Sequence, residues 1–302
     1  MNQKILLGPS SFAQLDSAPM DKLISAGFEV VNNPFGRKLT KQELLDLLPG
    51  ITGIIAGLEP LDHEVMSKSS LKVISRCGSG MSNVDLDAAR KFGIQVFSTP
   101  FGPTSAVAEL TVGAMLSLLR MVPQMDRDLH DGKWTKRIGA QLEGKTVVIV
   151  GFGRIGRKVA SLLQPFHVRL IAVDPELKEK SDGAELLPLD KALSMADIIT
   201  IHSSGEEQLI GENEFKLMKE GSFLLNAARG GLVNEESLIH ALEGGKVAGA
   251  WLDTLCTEPY AGTLCKFPQV ILTPHVGSYT MECRRSMEME AVDNLISALL
   301  EV

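Results

Sequence analysis

The stretch "TVVIVGFGRIGRKVASLLQPF", residues 146–166, decides the fold. Its first five residues are apolar or β-branched and read as a buried strand. Gly151, Gly153 and Gly156 follow in G-x-G-x-x-G spacing, and a helix opens among them. Glycines so placed permit a tight turn, admit a pyrophosphate to the backbone and let helix and strand pack closely. The helix start adds unpaired N–H groups and partial positive charge for phosphates. The spacing alone is a weak signal; the strand before it and the helix after it make it specific. The next strand, "RLIAVD", ends in Asp174, 18 residues beyond Gly156 and near the ~20 expected of an acid that binds the adenosine ribose. An acid there repels a 2′-phosphate, and no arginine directly follows in "DPELKEK", which favours NAD over NADP. The competing reading is a structural βαβ turn with a capping aspartate.

Strand and helix alternate outward from this turn. Ahead of it, strands fit 4–7, 28–31, 51–56, 71–77 and 94–98, with helices over 40–48 and 84–92. Thr40 and Glu43 have capping-box spacing. Beyond it, strands fit 169–173, 198–201, 222–226, 247–252 and 270–273. Such alternation implies parallel strands joined by helical crossovers, hence an α/β chain of two doubly wound parallel-sheet domains. Between them, "AVAELTVGAMLSLLR" reads as one long apolar helix, followed by a polar stretch over 126–145. The last segment, 285–300, places Met287, Ala291, Val292, Leu295, Ile296, Leu299 and Leu300 on one dry helical face.

A length of 302 residues accommodates about two domains. With 44% hydrophobic and 22% charged residues, the chain can bury a sizeable core. The net charge of −7 argues against a nucleic-acid partner or an anionic membrane surface. No apolar run approaches the ~18 residues that a membrane span needs. The start, "MNQKILLGPSSF", is too short in apolar residues for a secretory signal. Cys77, Cys256, Cys265 and Cys283 are scattered without metal-ligand spacing, so no metal site and reduced thiols in a cytoplasmic protein are expected.

Three ionisable groups sit where strands of the second half end. Arg229 follows "FLLNAA" and is flanked by small residues. "VAGAWLD" ends at Asp253, with Glu258 five residues on, and "VILTPH" ends at His275. In open α/β sheets the carboxyl ends of strands line the ligand crevice. A histidine is the natural proton donor and acceptor for interconverting carbonyl and alcohol. A carboxylate beside it favours the imidazolium and orients the ring. A guanidinium offers a planar fork for a carboxylate and polarises an adjacent carbonyl. Taken singly, the histidine reads as a structural hydrogen-bonding group, Glu258 as a solvated loop acid and Asp253 as a turn cap. Together they complete a set for reducing a 2-oxo acid with a nicotinamide hydride.

"GFGRIG", "NAARGGLVNEESL", "LDTLCTEP" and "LTPHVG" together resemble the D-isomer-specific 2-hydroxyacid dehydrogenase family, nearest its phosphoglycerate dehydrogenase branch. "RCGSGMSNVDLDAA" resembles the family's substrate-domain loop and "AVAELTVGAML" its interdomain helix. The resemblance implies Arg229 as substrate-binding arginine, Glu258 as partner acid and His275 as acid/base. It implies that Asp253 holds the nicotinamide carboxamide and that Arg154 and Ile155 meet the pyrophosphate through their backbones. His202, Ser203, Ala227, Ala228, Gly277 and Ser278 would line NAD, and Arg76, Ser79 and Gly80 would bind the substrate carboxylate. It also implies a Rossmann NAD-binding domain over 101–279. A discontinuous, flavodoxin-like substrate domain would take 1–100 and 280–302, and the expected assembly is a homodimer.

Departures bear on the substrate. The branch usually adds an arginine after the strand reading "GIIAGLEPL", where this chain has Ala56 and Gly57, and Glu59 nearby would oppose a phosphate. "SSGEEQLIGEN" lacks the family's usual H-x-P, and Phe101 and Pro103 stand where the branch tends to carry asparagines. No regulatory C-terminal domain follows Val302, so serine feedback through one is not expected. The expected activity is NAD-dependent interconversion of a small D-2-hydroxy acid and its 2-oxo acid, of 3-phosphoglycerate or hydroxypyruvate/glyoxylate type. The alternatives are an NAD(H)-sensing, corepressor-like binding protein on the same scaffold and NAD-linked formate oxidation.

Overall fold

Side chains of the strand Thr146–Val150 point alternately into two apolar cores, Val148 and Val150 into one, Val147 and Ile149 into the other. A strand buried on both faces has no polar side, which is why the sequence there is an unbroken apolar run. The computed structural model describes residues 3–177 and 182–300. Lys178, Glu179 and Lys180 of "DPELKEK", and the last two residues, lie outside them. The chain divides into two compact units, 1–103 with 278–302, and 104–277.

In the first unit, β1 (Lys4–Leu7), α1 (Ala18–Ser25), β2 (Glu29–Asn32), α2 (Lys41–Leu47) and β3 (Ile51–Ala56) alternate. They are followed by α3 (His63–Ser67), β4 (Val73–Arg76), α4 (Leu86–Phe92) and β5 (Gln95–Ser98). All pairings are parallel, in the order β2-β1-β3-β4-β5, the flavodoxin-like arrangement. The Thr40–Glu43 capping box forms at the start of α2. One face of this sheet carries a core of Leu6, Ile54, Ile74, Leu44 and Val65. The other is covered by the C-terminal helix, whose Leu295 and Leu299 close on the space left by Gly53, while Ser75 Oγ donates to the Ala291 carbonyl at 2.8 Å.

Two helices open the remaining chain, α5 (Pro103–Leu119), which begins at the unit boundary, and α6 (Val122–His130). Then come β6 (Thr146–Val150), α7 (Arg154–Leu163), β7 (Arg169–Val173), β8 (Glu185–Leu186), α8 (Leu189–Met195) and β9 (Ile198–Ile201). The unit ends with α9 (Glu212–Leu217), β10 (Ser222–Asn226), α10 (Glu235–Glu243), β11 (Val247–Leu252) and β12 (Val270–Leu272), and α11 (Met281–Leu300) returns to the first unit. The seven strands run parallel in the order β12-β11-β10-β9-β6-β7-β8. Two doubly wound parallel sheets are thus borne out. The sequence reading missed β8, so the strand before Arg229 is the fifth of this unit, and it left α6 inside a polar stretch. No single helix is long and apolar enough to cross a membrane.

Candidate active site

The three glycines of the turn answer to different demands. Gly151 has φ +88°, and a Cβ on it would overlap the backbone joining His202 to Ser203. One on Gly156 would overlap the Gly151 carbonyl. Both positions are therefore required by the protein's own packing. Gly153 is different: no protein atom lies within 4 Å of where its Cβ would stand. It precedes α7, whose N-terminus has no side-chain cap. A bare helix start beside a glycine that the fold does not need is what an approaching phosphate group requires. Asp174 braces the turn from β7, its Oδ2 accepting from the Phe152 N–H at 2.8 Å and its Oδ1 from the Glu176 N–H at 3.0 Å.

Because every strand of this sheet is parallel, all its carboxyl ends share one edge. Along that edge, in spatial order, stand His275 after β12, Asp253 after β11 and Arg229 after β10. His202 follows β9, Gly151 follows β6 and Asp174 follows β7. Six neighbouring strands span five spacings, ~24 Å at ~4.8 Å each. Ribose, phosphate and proton-transfer groups are thus laid out in one row, as an extended dinucleotide needs.

The acid/base end is tied together through backbone contacts. Asn226, 1% exposed, closes the turn after β10: its Nδ2 donates to the Arg229 carbonyl at 2.8 Å and its Oδ1 accepts from the Ala228 N–H at 3.0 Å. Gly230 lies so close to the Leu255–Cys256 peptide that any Cβ would overlap it. The Leu255 N–H donates to Glu258 Oε1 at 3.2 Å, and Glu258 Oε2 pairs with His275 Nδ1 at 3.0 Å. The Arg229 turn, the Glu258 loop and the His275 ring are therefore consecutive links. One Arg229 N–H is held by the Ala228 carbonyl at 2.7 Å, and among the described residues the guanidinium forms no ion pair. His275 is held at φ +54° by its N–H bonds to the carbonyls of Asp253 (2.8 Å) and Thr273 (2.9 Å). A left-handed conformation at a non-glycine residue is strained and persists only where the surroundings fix it.

Asp253, 2% exposed, supplies much of that fixing. Its Oδ1 accepts from the Thr273 hydroxyl (2.6 Å) and the Val276 N–H (2.9 Å), and its Oδ2 from the Gly277 N–H (2.8 Å). Three of about four acceptor positions are occupied, leaving about one for the carboxamide that the resemblance assigns to it. Thr273 also accepts from Trp251 Nε1 at 3.0 Å. Burial pushes the His202 imidazole down to about 4, so the ring is neutral at neutral pH. Its Nε2 meets Thr200 Oγ1 at 2.9 Å. Ala227 and Ala228 fill the Asn226 turn, Ser203 follows His202, and Arg154 and Ile155 form the first turn of α7. Ser278 opens the other unit's final segment.

In the first unit, Arg76 ends β4, and Ser79 and Gly80 lie on the loop after it. The Cys77 N–H donates to Ala56 and the Gly78 N–H to Thr99 Oγ1, at 2.8 and 2.7 Å. Among the described residues, the N–H groups of Ser79 and Gly80 take no acceptor, which leaves them available to an anion. No cluster of three or more metal-ligating side chains occurs among the described residues. Sequence reasoning missed Asn226, Gly230 and Thr273. Asn226 opens the quoted "NAARGGLVNEESL", and an amide ending a buried strand before small residues was the available signal.

A doubly wound sheet with this glycine turn and this row of strand-end groups is a dinucleotide-binding domain. The family model for the NAD binding domain of D-isomer specific 2-hydroxyacid dehydrogenases matches residues 112–277. D-3-phosphoglycerate dehydrogenase of Sus scrofa is 35% identical over 306 residues, 96% of this chain and 56% of that one. That of Archaeoglobus fulgidus is 35% identical over 271 residues, covering 86% and 51%. A solved protein of Thermus thermophilus superposes with TM-score 0.90 at 34% identity, covering 98% of this chain and 97% of that one. A glyoxylate reductase from Paecilomyes thermophila gives 0.88 at 30% identity, covering 99% and 96%. This chain belongs to the D-isomer-specific 2-hydroxyacid dehydrogenase family. It spans about half the length of the curated relatives it matches.

Proposed function

We propose that this chain is an NAD-dependent oxidoreductase interconverting a small D-2-hydroxy acid and its 2-oxo acid. The observation that carries this is the His275–Glu258 pair, 3.0 Å apart, on the sheet edge that also bears the glycine turn. Nicotinamide, when bound, gives or takes the hydride at carbon 2. Arg229 binds the substrate carboxylate and polarises the carbonyl oxygen. His275 gives that oxygen a proton in reduction and removes it in oxidation. Glu258 fixes the ring by holding Nδ1, which leaves Nε2 as the working nitrogen. In the first unit, the Ser79 and Gly80 N–H groups beyond Arg76 are the candidates for holding an anion. The choice of NAD rests on Asp174, whose charge opposes a 2′-phosphate.

A homodimer belongs to the same proposal. Helix α6 has no buried residue, and the segment after it exposes Trp134 at 81% and Ile138 at 94%, apolar side chains that a second copy would cover. Free thiols at Cys77, Cys256, Cys265 and Cys283 support a cytoplasmic site of action.

The deciding experiment is NADH oxidation against glyoxylate, hydroxypyruvate, pyruvate, 2-oxoglutarate and phosphohydroxypyruvate. Turnover of at least one is expected. Tight NADH binding without turnover of any would replace the enzyme by a nucleotide sensor on the same scaffold.

A further inference from the structure

Glu258 lies on a loop held on both sides by one neighbouring segment, the stretch from Arg229 to the start of α10. Before Glu258, the Leu255–Cys256 peptide lies against Gly230 so closely that no Cβ would fit. After it, the Tyr260 hydroxyl donates to Glu235 Oε1 and accepts from the Leu264 N–H at 3.3 Å. Glu235 opens α10, where a carboxylate is favoured by the unpaired N–H groups of a helix start. The Tyr260 ring packs against the core that contains Leu232, Leu238 and Leu264. Gly262 makes room for it, since a Cβ there would overlap the ring and its hydroxyl. Pro259 stands between Glu258 and Tyr260 and fixes one backbone angle, so the link from anchor to acid is short and stiff.

Packing alone does not place this loop. Against it lies a small cavity whose walls include Asn226, Gly230, Glu235, Leu255 and Leu264. Thr254, 3% exposed, also lines it, and its hydroxyl takes no protein partner among the described residues. Interiors are ordinarily close-packed, and a void lacks the contacts that would resist a shift of the loop toward it. The hydroxyl bond to Glu235 resists that shift instead. Burial, and then the bond to Glu235, push the Tyr260 phenol up to about 12, so it stays a donor at neutral pH.

We propose that Tyr260 is a positioning residue for proton transfer: anchored on Glu235, it sets where Glu258 stands against His275 and ties the pair to the segment that carries Arg229. A bond remote from the reacting atoms acts in this way because a misplacement of ~1 Å costs up to ~100-fold in rate. The inference rests on the dehydrogenase reading above, in which His275 moves the proton and Glu258 holds its ring.

The test is Tyr260→Phe, which keeps the ring in its packing and removes only the hydroxyl. With rates expressed per NADH-binding site, kcat for reduction of the best 2-oxo acid should fall by ~10-fold or more, while KM and the NADH Kd change by less than ~3-fold. Glu235→Gln still presents an acceptor and should keep kcat within ~3-fold of the wild type. On a Glu258→Gln background, where the charge to be placed is gone, Tyr260→Phe should cost less than ~2-fold. An equal loss in both backgrounds is what a purely structural role gives, and it overturns the proposal. So does a wild-type kcat in Tyr260→Phe. If the wild type reduces no 2-oxo acid, the dehydrogenase reading fails, and amide exchange then decides the anchor. The Leu255 N–H, which donates to Glu258 at 3.2 Å, should exchange at least ~10-fold faster in Tyr260→Phe. An unchanged exchange rate overturns the anchor as well.

Discussion

Arg229 shows what a single side chain contributes here. Its turn is closed by a buried amide, its neighbours are alanine and glycine, and one N–H of its guanidinium is held by a backbone carbonyl. Arg229→Ala should cost ~2–4 kcal/mol of transition-state binding, read as kcat/KM for reduction of the best 2-oxo acid. A loss below about tenfold contradicts the role. His202 gives a prediction in pH. Its folded pKa, about 4, lies below the ordinary 6.5, so the fold favours the neutral ring. That stability is fully present above pH 6.5 and is lost as pH falls toward 4, by about 3 kcal/mol. Denaturant titrations of His202→Asn should lack that part of the acid loss; identical pH slopes would refute the buried neutral ring. Arg229, Glu258 and His275 were legible in the sequence because reactive side chains at strand ends stand out among small and apolar neighbours. Asn226 and Thr273 were not: Asn226 ties only its own turn, Thr273 bonds to Asp253 and Trp251 on a neighbouring strand, and neither type carries a reactive signature.

At the scale of elements, the strand–turn–helix over 146–163 separates two kinds of glycine. Gly151→Ala and Gly156→Ala meet backbone and should destabilise by ~2 kcal/mol or more, through strain and overlap that cannot relax. Gly153→Ala meets only open space, so it should fold with little change in Tm yet weaken NADH binding by at least ~10-fold. An unchanged Kd for Gly153→Ala would show that nothing approaches there. The apolar strands were readable from composition because both their faces are buried. Strand β8 was not: it is two residues long and exists through its pairing of Glu185 and Leu186 with β7. Helix α6 escaped for the opposite reason. It buries no residue, so it shows no dry face against this chain, and what stands out in it is exposed Val122 and Leu129.

At the scale of the whole molecule, strand order is the part that the sequence withheld. Alternation implied parallel sheets, but the order β12-β11-β10-β9-β6-β7-β8 arises from pairings between segments far apart in the chain. It is that order which turns separate strand-end residues into one row. The exposed stretch after α6 belongs to the same scale. Light scattering should give twice the 32.6 kDa chain mass, and the double variant Trp134→Asp, Ile138→Asp should give the single chain. A monomeric wild type removes the dimer from the proposal. The most direct test of the chemistry uses His275→Asn, measuring NADH affinity and the rate of 2-oxo acid reduction on one preparation. The row of groups along this edge predicts affinity within a few-fold of the wild type and a rate lower by ~10²–10⁴. A variant that binds NADH and reduces the substrate at the wild-type rate would contradict it.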